Sequence, residues 1–188
     1  MKRVLFLCTG NVCRSPMAEA LFRELVKARG DYEVVSAGIS AWDGQPPSPE
    51  SQQVLRELGI DISHQRSNML TPEMAAEATH IFGMTRGHLQ AVHAYFPEAA
   101  DKAYLVTEFA AQDALRGRDV PDPIGMGVRV YAQTRDVLRA VLPSLREYID
   151  QTFKSASPTP SPSESKDVNA NANANPSDRP QRLALGAD

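Results

Sequence analysis

Short apolar runs alternate along most of the chain with stretches in which apolar residues recur at helical spacing. The runs predict strands at residues 4–8, 32–36, 79–84 and 103–107. Strands that alternate with helices are typical of a parallel sheet covered by helices. We therefore expect an α/β fold with a small, open, four-stranded parallel sheet and helices on both faces. Ligands of such sheets bind beyond the carboxyl ends of the strands.

Helix signals fall between the predicted strands. Apolar residues within 17–26 lie on one helical face, directly after the first strand. Ser48 and Thr71 each precede a proline, and an N-cap residue followed by Pro at the first helical position predicts a helix start. A last helical pattern covers residues 130–149, and we expect a kink where Pro143 interrupts it.

The composition changes abruptly from Ser155 onward. The segments SPTPSPSES and NANANAN consist of small and polar residues that cannot bury a core. We therefore predict one folded catalytic domain over residues 1–154 and a disordered Ser/Pro/Asn/Ala-rich tail over residues 155–188.

Charge and cysteine content narrow the class of protein. The formal net charge is -3 and the basic residues are scattered, which argues against a nucleic-acid partner. No apolar run is long enough for export or for a membrane span. Two cysteines in one short segment are typical of a reducing compartment. We expect a cytoplasmic monomer without a membrane partner.

Metal binding is not predicted. A structural zinc site needs more ligands than two cysteines supply. The histidines lack a metal-ligand spacing, and we assign none of them to catalysis. They are His64, His80, His88 and His93.

The segment 8–16 lies between a predicted strand and a predicted helix, where free backbone N–H groups and the helix dipole form an anion site. Gly10 and Asn11 tolerate positive φ, so the backbone can curl around one centre. Arg14 can bind two phosphate oxygens with its planar guanidinium. The same groups favour a thiolate at Cys8. The segment therefore predicts a phosphate site beside a nucleophilic sulfur.

The stretch CTGNVCRSPMAEALF closely resembles the signature of the low-molecular-weight protein-tyrosine-phosphatase family, which includes a bacterial protein-arginine-phosphatase branch. Further matches are SAG at residues 36–38 and the segment 122–136, which begins Asp-Pro. The resemblance covers most of residues 1–153. It implies a four-stranded parallel sheet and no metal or other cofactor. It also implies hydrolysis of phosphorylated protein side chains through a phosphocysteine intermediate.

The resemblance also assigns roles to residues. Cys8 is the nucleophile, Arg14 clamps the phosphate, and Asp122 is the general acid and then the general base. Such an acid is needed chemically because the leaving group must gain a proton. The expected phosphate-binding residues are Thr9, Gly10, Asn11, Val12, Cys13, Arg14 and Ser15.

Several residues keep two interpretations. Asp119 is the nearest rival to the predicted acid. Ser15 either binds the Cys8 sulfur or caps the following helix. Cys13 is either a buried structural thiol or a redox partner of Cys8. Trp42 either forms a wall of the substrate pocket or covers an edge of the core.

Two positions bear on the substrate. Val12 stands where the tyrosine branch usually has Ile and the arginine branch Thr, and it lacks a hydroxyl to meet a guanidinium. Ile124 follows Asp122-Pro123, where the tyrosine branch usually has an aromatic residue, and the segment after it looks more like the arginine branch. We predict phosphotyrosine hydrolysis, with Val12, Trp42 and Ile124 in the substrate pocket, and keep phosphoarginine as the alternative.

Two other classes of protein fit the loop less well. An arsenate reductase coupled to thioredoxin needs further cysteines to relay a disulfide, and the chain has only Cys8 and Cys13. A phosphate-binding module without turnover has no need of a nucleophile such as Cys8 or an acid such as Asp122.

Overall fold

The computed structural model describes residues 1–153, and the predicted tail at 155–188 lies outside the described residues. All four predicted strands are present. They are β1 (Lys2–Cys8), β2 (Tyr32–Gly38), β3 (His80–Gly83) and β4 (Ala103–Leu105). The helices are α1 (Arg14–Val26), α2 (Pro49–Arg56), α3 (Pro72–Glu77), α4 (Arg86–Tyr95) and α5 (Val128–Thr152), with a 3₁₀ turn at Pro97–Lys102.

The strands form one parallel sheet in the order β2-β1-β3-β4. At the carboxyl end of β1 the register pairs Cys8 with Gly38 of β2 and Leu7 with Gly83 of β3. After β1 the chain forms β2 on one side of β1, and it later forms β3 on the other side. The carboxyl end of β1 is therefore the topological switch point, where open α/β sheets bind ligands.

Alternate residues of β1 pack into two separate hydrophobic cores. Val4 and Phe6 are fully buried in a cluster with residues of α1, α2 and α5. Leu5 and Leu7 are fully buried in a second cluster with residues of α3 and α4. Because successive side chains of a strand point to opposite faces, this pattern covers the sheet with helices on both faces, as predicted.

The helix starts predicted at Ser48 and Thr71 are confirmed, and the kink at Pro143 stays a prediction. Ser48 and Thr71 cap α2 and α3, and each side chain accepts a backbone N–H three residues ahead. The last helix runs from Val128 to Thr152 and continues through Pro143. The sequence pattern did not predict α4, which begins with a capping box between Thr85 and His88.

Within residues 1–153 no helix combines the length and apolar character needed to cross a membrane. No cluster of three or more His, Cys, Asp or Glu side chains in that range could hold a metal ion.

Candidate active site

The loop between β1 and α1 borders a cavity of about 200 Å³ at the switch point. Most of the residues singled out in the sequence meet there. The lining consists of Cys8, Thr9, Gly10, Val12, Cys13, Arg14, Asp122 and Ile124. Distant segments of the chain thus bring a thiol, a guanidinium and a carboxylate to one cavity.

The Cys8 sulfur is buried and has two hydrogen-bond partners among the residues that follow it. Its Sγ accepts the Asn11 backbone N–H at 3.2 Å and lies 3.0 Å from the Ser15 hydroxyl oxygen. Donors aimed at a sulfur stabilise negative charge on it. Ser15 therefore contacts the sulfur. It does not cap α1, which has no side-chain cap.

Asn11 shapes the loop. It has a φ of 53° and is the one non-glycine residue with positive φ between residues 1 and 153. Its side-chain amide donates to Ser15 Oγ and Ser36 Oγ, both at 2.8 Å, and its Oδ1 accepts the Asn68 N–H at 2.9 Å. These bonds offset the cost of a left-handed backbone. Gly10, the other residue expected to allow the curl, does not have positive φ.

A buried polar chain continues behind the loop. Ser36 Oγ donates to Glu19 Oε2 at 2.5 Å, and Glu19 also pairs with Arg23 at 2.8 Å. Burial raises the pKa of the Glu19 carboxyl. Sequence reasoning missed this support, although an acidic residue on the apolar face of the first predicted helix was a signal for it.

Gly38 lets β2 approach the loop closely. The Ile39 N–H donates to Cys8 O and the Ser40 N–H to Thr9 O, both at 2.9 Å. A Cβ on Gly38 would lie 2.5 Å from Thr9 O and 3.0 Å from Asn11 N. The backbone there leaves no room for any larger residue.

Arg14 is 3% exposed and spans the cavity. Its Nη1 donates to Val120 O at 3.2 Å and its Nη2 to Asp122 Oδ2 at 2.5 Å. Its buried Nε has no hydrogen-bond partner within the described residues. Since a guanidinium carries five N–H donors in a fixed fork, Arg14 keeps donors for an anion in the cavity.

The structure separates the two candidate acids. Asp122 lines the cavity, and its Oδ1 accepts the Ile124 N–H at 3.2 Å. Asp119 instead accepts the backbone N–H of Arg86 at 3.0 Å and pairs with the Arg86 guanidinium at 3.4 Å. Asp119 thus ties its loop to the start of α4, whereas Asp122 faces the sulfur's cavity.

Cys13 lies against Tyr131 of α5, with 3.2 Å between Sγ and the phenol oxygen. Burial raises the pKa of the Cys13 thiol, and burial with the Cys13 contact raises the pKa of Tyr131 to about 12. Both groups are therefore protonated at neutral pH. Cys8 and Cys13 are both free thiols, and a redox partnership between them remains a prediction.

The predicted pocket residues separate in space. Val12 and Ile124 line the cavity, with Ile124 62% exposed. Trp42 is 83% exposed and does not line it. That exposure excludes the interpretation of Trp42 as a cover for the core edge, and its part in the substrate pocket remains a prediction.

Residues 3–155 match the family described as low molecular weight phosphotyrosine protein phosphatase. The chain belongs to this family. The match spans the described fold and confirms the resemblance seen in the loop after the first strand.

Named relatives of this phosphatase fall in both branches. It is 41% identical over 145 residues to a protein-arginine-phosphatase of Geobacillus stearothermophilus, covering 77% of this chain and 94% of the relative. It is 30% identical over 139 residues to a probable low molecular weight protein-tyrosine-phosphatase of Ralstonia nicotianae, covering 74% and 90%. A solved YwlE arginine phosphatase, a cysteine-to-serine mutant with a phosphorylated active-site serine, has a TM-score of 0.74 and 33% identity, covering 80% and 97%.

Replacing Gly38 by Ala should disturb the phosphatase loop, because the new Cβ would meet backbone atoms that cannot rotate away. Overpacking of this kind costs about 1–3 kcal/mol. Urea unfolding should show that loss, and calorimetry should show weaker binding of inorganic phosphate. Gly30→Ala is the matched control, since nothing lies within 4 Å of its Cβ position. Equal stability and equal phosphate affinity in the two variants would contradict the close approach of β2 to the loop.

Proposed function

We propose that the protein removes phosphoryl groups from phosphorylated protein side chains through a phosphocysteine on Cys8. The observation that carries this proposal is the convergence of Cys8, Arg14 and Asp122 on one cavity at the carboxyl end of β1. A nucleophile, an anion clamp and a proton donor are the groups that phosphoryl transfer requires.

In the first step the loop N–H groups and Arg14 bind the phosphoryl oxygens. The Cys8 thiolate attacks phosphorus, so that an S–P bond forms while the bond from phosphorus to the side chain breaks. Asp122 gives its proton to the leaving atom. Arg14 bonds to Asp122 through Nη2 and leaves Nε without a partner. It therefore has a donor for a phosphoryl oxygen while Nη2 holds Asp122.

In the second step water attacks the phosphorus of the phosphocysteine. Asp122, now a carboxylate, takes a proton from that water, and the S–P bond breaks to release phosphate and the Cys8 thiolate. Ser15 and the Asn11 N–H stabilise the sulfur as it leaves, through the contacts at 3.0 and 3.2 Å. The phosphorylated serine in the related YwlE mutant supports a phosphoryl group on the residue in this place.

Phosphotyrosine is the proposed substrate. The aliphatic side chains that line the cavity beside the sulfur are Val12 and Ile124. A flat aromatic ring can pack between such apolar groups, and its leaving phenolate needs the proton that Asp122 supplies.

Phosphoarginine is the second candidate, and a separate observation favours it. The Geobacillus stearothermophilus relative, which is named a protein-arginine-phosphatase, shares 41% identity with this chain. A guanidinium leaving group would find one carboxylate, Asp122, among the cavity residues.

We also propose a cytoplasmic location, a monomeric state, no nucleic-acid partner and a domain boundary near residue 154. The arsenate reductase alternative is disfavoured because the chain has two cysteines, and Cys13 is held by Tyr131.

Cys8→Ser should abolish turnover while phosphate binding persists, because the loop and Arg14 remain. In the parent enzyme, acid quenching during turnover of a ³²P-labelled substrate should trap label on Cys8, and Cys13→Ser should trap it equally. Label on Cys13 instead, or turnover by Cys8→Ser, would exclude this nucleophile.

Asp122→Asn should lower kcat by about 10²–10⁴, the usual contribution of general acid–base catalysis. The loss should be smaller with activated aryl phosphates, whose leaving groups need no proton. Asp119→Asn is the matched control and should retain most of the rate, since Asp119 binds Arg86. A larger loss at Asp119 than at Asp122 would reverse the assignment.

The substrate is tested by comparing kcat/KM for phosphotyrosine and phosphoarginine peptides in the parent, Val12→Thr and Val12→Ile. The parent and the Ile variant should favour phosphotyrosine. The Thr variant should shift the ratio toward phosphoarginine about two- to tenfold, the value of one added hydrogen bond. A parent that favours phosphoarginine would establish the second candidate.

A further inference from the structure

His88, on the first turn of α4, contacts the phosphate loop. Its Nε2 lies 3.0 Å from Thr9 Oγ1, and its Nδ1 lies 3.1 Å from the backbone nitrogen of Thr85. A backbone N–H can only donate, so Nδ1 accepts. A neutral ring that accepts at Nδ1 carries its proton on Nε2, and it therefore donates to the Thr9 hydroxyl.

The ring is neutral at physiological pH. Burial, with the nearby charge of Arg14, lowers the pKa of His88 to about 4, although Asp122 and Asp119 act in the opposite direction. His88 is only 6% exposed. One tautomer thus satisfies both ring nitrogens.

The Thr9 hydroxyl is left with a proton to give. Its oxygen accepts from His88, and it has no other hydrogen-bond partner within residues 1–153. Thr9 also lines the cavity beside Cys8. A hydroxyl whose lone pair is engaged from one side presents its O–H away from that donor.

The position of His88 is fixed by the fold. Thr85 caps α4 and shares a capping box with His88. Met84, just before the cap, donates its N–H to Leu7 O at 3.0 Å and accepts the Val120 N–H at 2.8 Å. The ring therefore stands on a framework that joins β1, β3 and the acid-bearing loop.

We propose that His88 is a positioning residue, which holds the Thr9 hydroxyl aimed at a non-bridging oxygen of a phosphoryl group in the cavity. This inference rests on the proposed phosphatase function and adds a donor to it. Asn68 fixes the loop from the β2 side through Asn11, and His88 fixes it from the β3 side.

The test is the affinity for inorganic phosphate, measured by calorimetry, together with kcat and KM for an aryl phosphate. His88→Asn keeps an acceptor near the Nδ1 position for the Thr85 N–H, but it is too short to reach Thr9. Phosphate affinity and kcat/KM should each fall about two- to tenfold, the loss of one neutral hydrogen bond, at an unchanged melting temperature.

A double-mutant cycle shows whether His88 acts through Thr9. Thr9→Val should cause the same loss, and adding His88→Asn to it should cause no further loss. Thr9→Ser should restore parental affinity because it restores the hydroxyl. His93→Asn, at an exposed position on the same helix, is the control and should behave as the parent.

Additive losses in the cycle, or parental phosphate affinity in Thr9→Val, would overturn the proposal. If His88→Asn unfolds, the Thr9 variants still decide the proposal. Phosphate binding needs no turnover. A parent that binds phosphate without hydrolysing phosphopeptides would therefore refute the proposed function and leave the His88 measurement intact.

Discussion

The site depends on one constraint, which is that the backbone after β1 must curl tightly enough to aim a donor at the Cys8 sulfur. The curl occurs at Asn11, which has a left-handed φ of 53°, a conformation that is unfavourable for a non-glycine residue. The side-chain amide of Asn11 holds this geometry through its bonds to Ser15, Ser36 and the Asn68 backbone. Every contact of the sulfur follows from this turn.

The curl needs space as well as hydrogen bonds. Parallel pairing sets Gly38 directly beside Cys8, and the missing side chain lets the β2 backbone pass within hydrogen-bond distance of the loop. The strand order then puts β3 on the other side of β1. Its following helix brings His88 to Thr9, so the loop is held from both neighbouring strands.

Arg14 links this rigid cradle to the acid. It is buried, yet it binds Val120 and Asp122, which belong to a loop far along the chain. A buried guanidinium requires partners for its charge, and these contacts provide them while leaving Nε unpartnered. The same side chain can therefore order the acid-bearing loop and serve an anion.

Local features of the site can be predicted from the sequence. The segment 8–16 is contiguous, so its strand, turn and helix follow from neighbouring residues, as do the caps at Ser48 and Thr71. Which groups from distant segments meet is known only from the folded chain. Asp119 is held by Arg86, so Asp122 is the carboxylate that lines the cavity. The contact between His88 and Thr9 depends on the strand order and on α4, a helix that the sequence pattern did not predict. The spacing of residues along the sequence does not predict these contacts, because strand register and loop packing set the distances between the side chains.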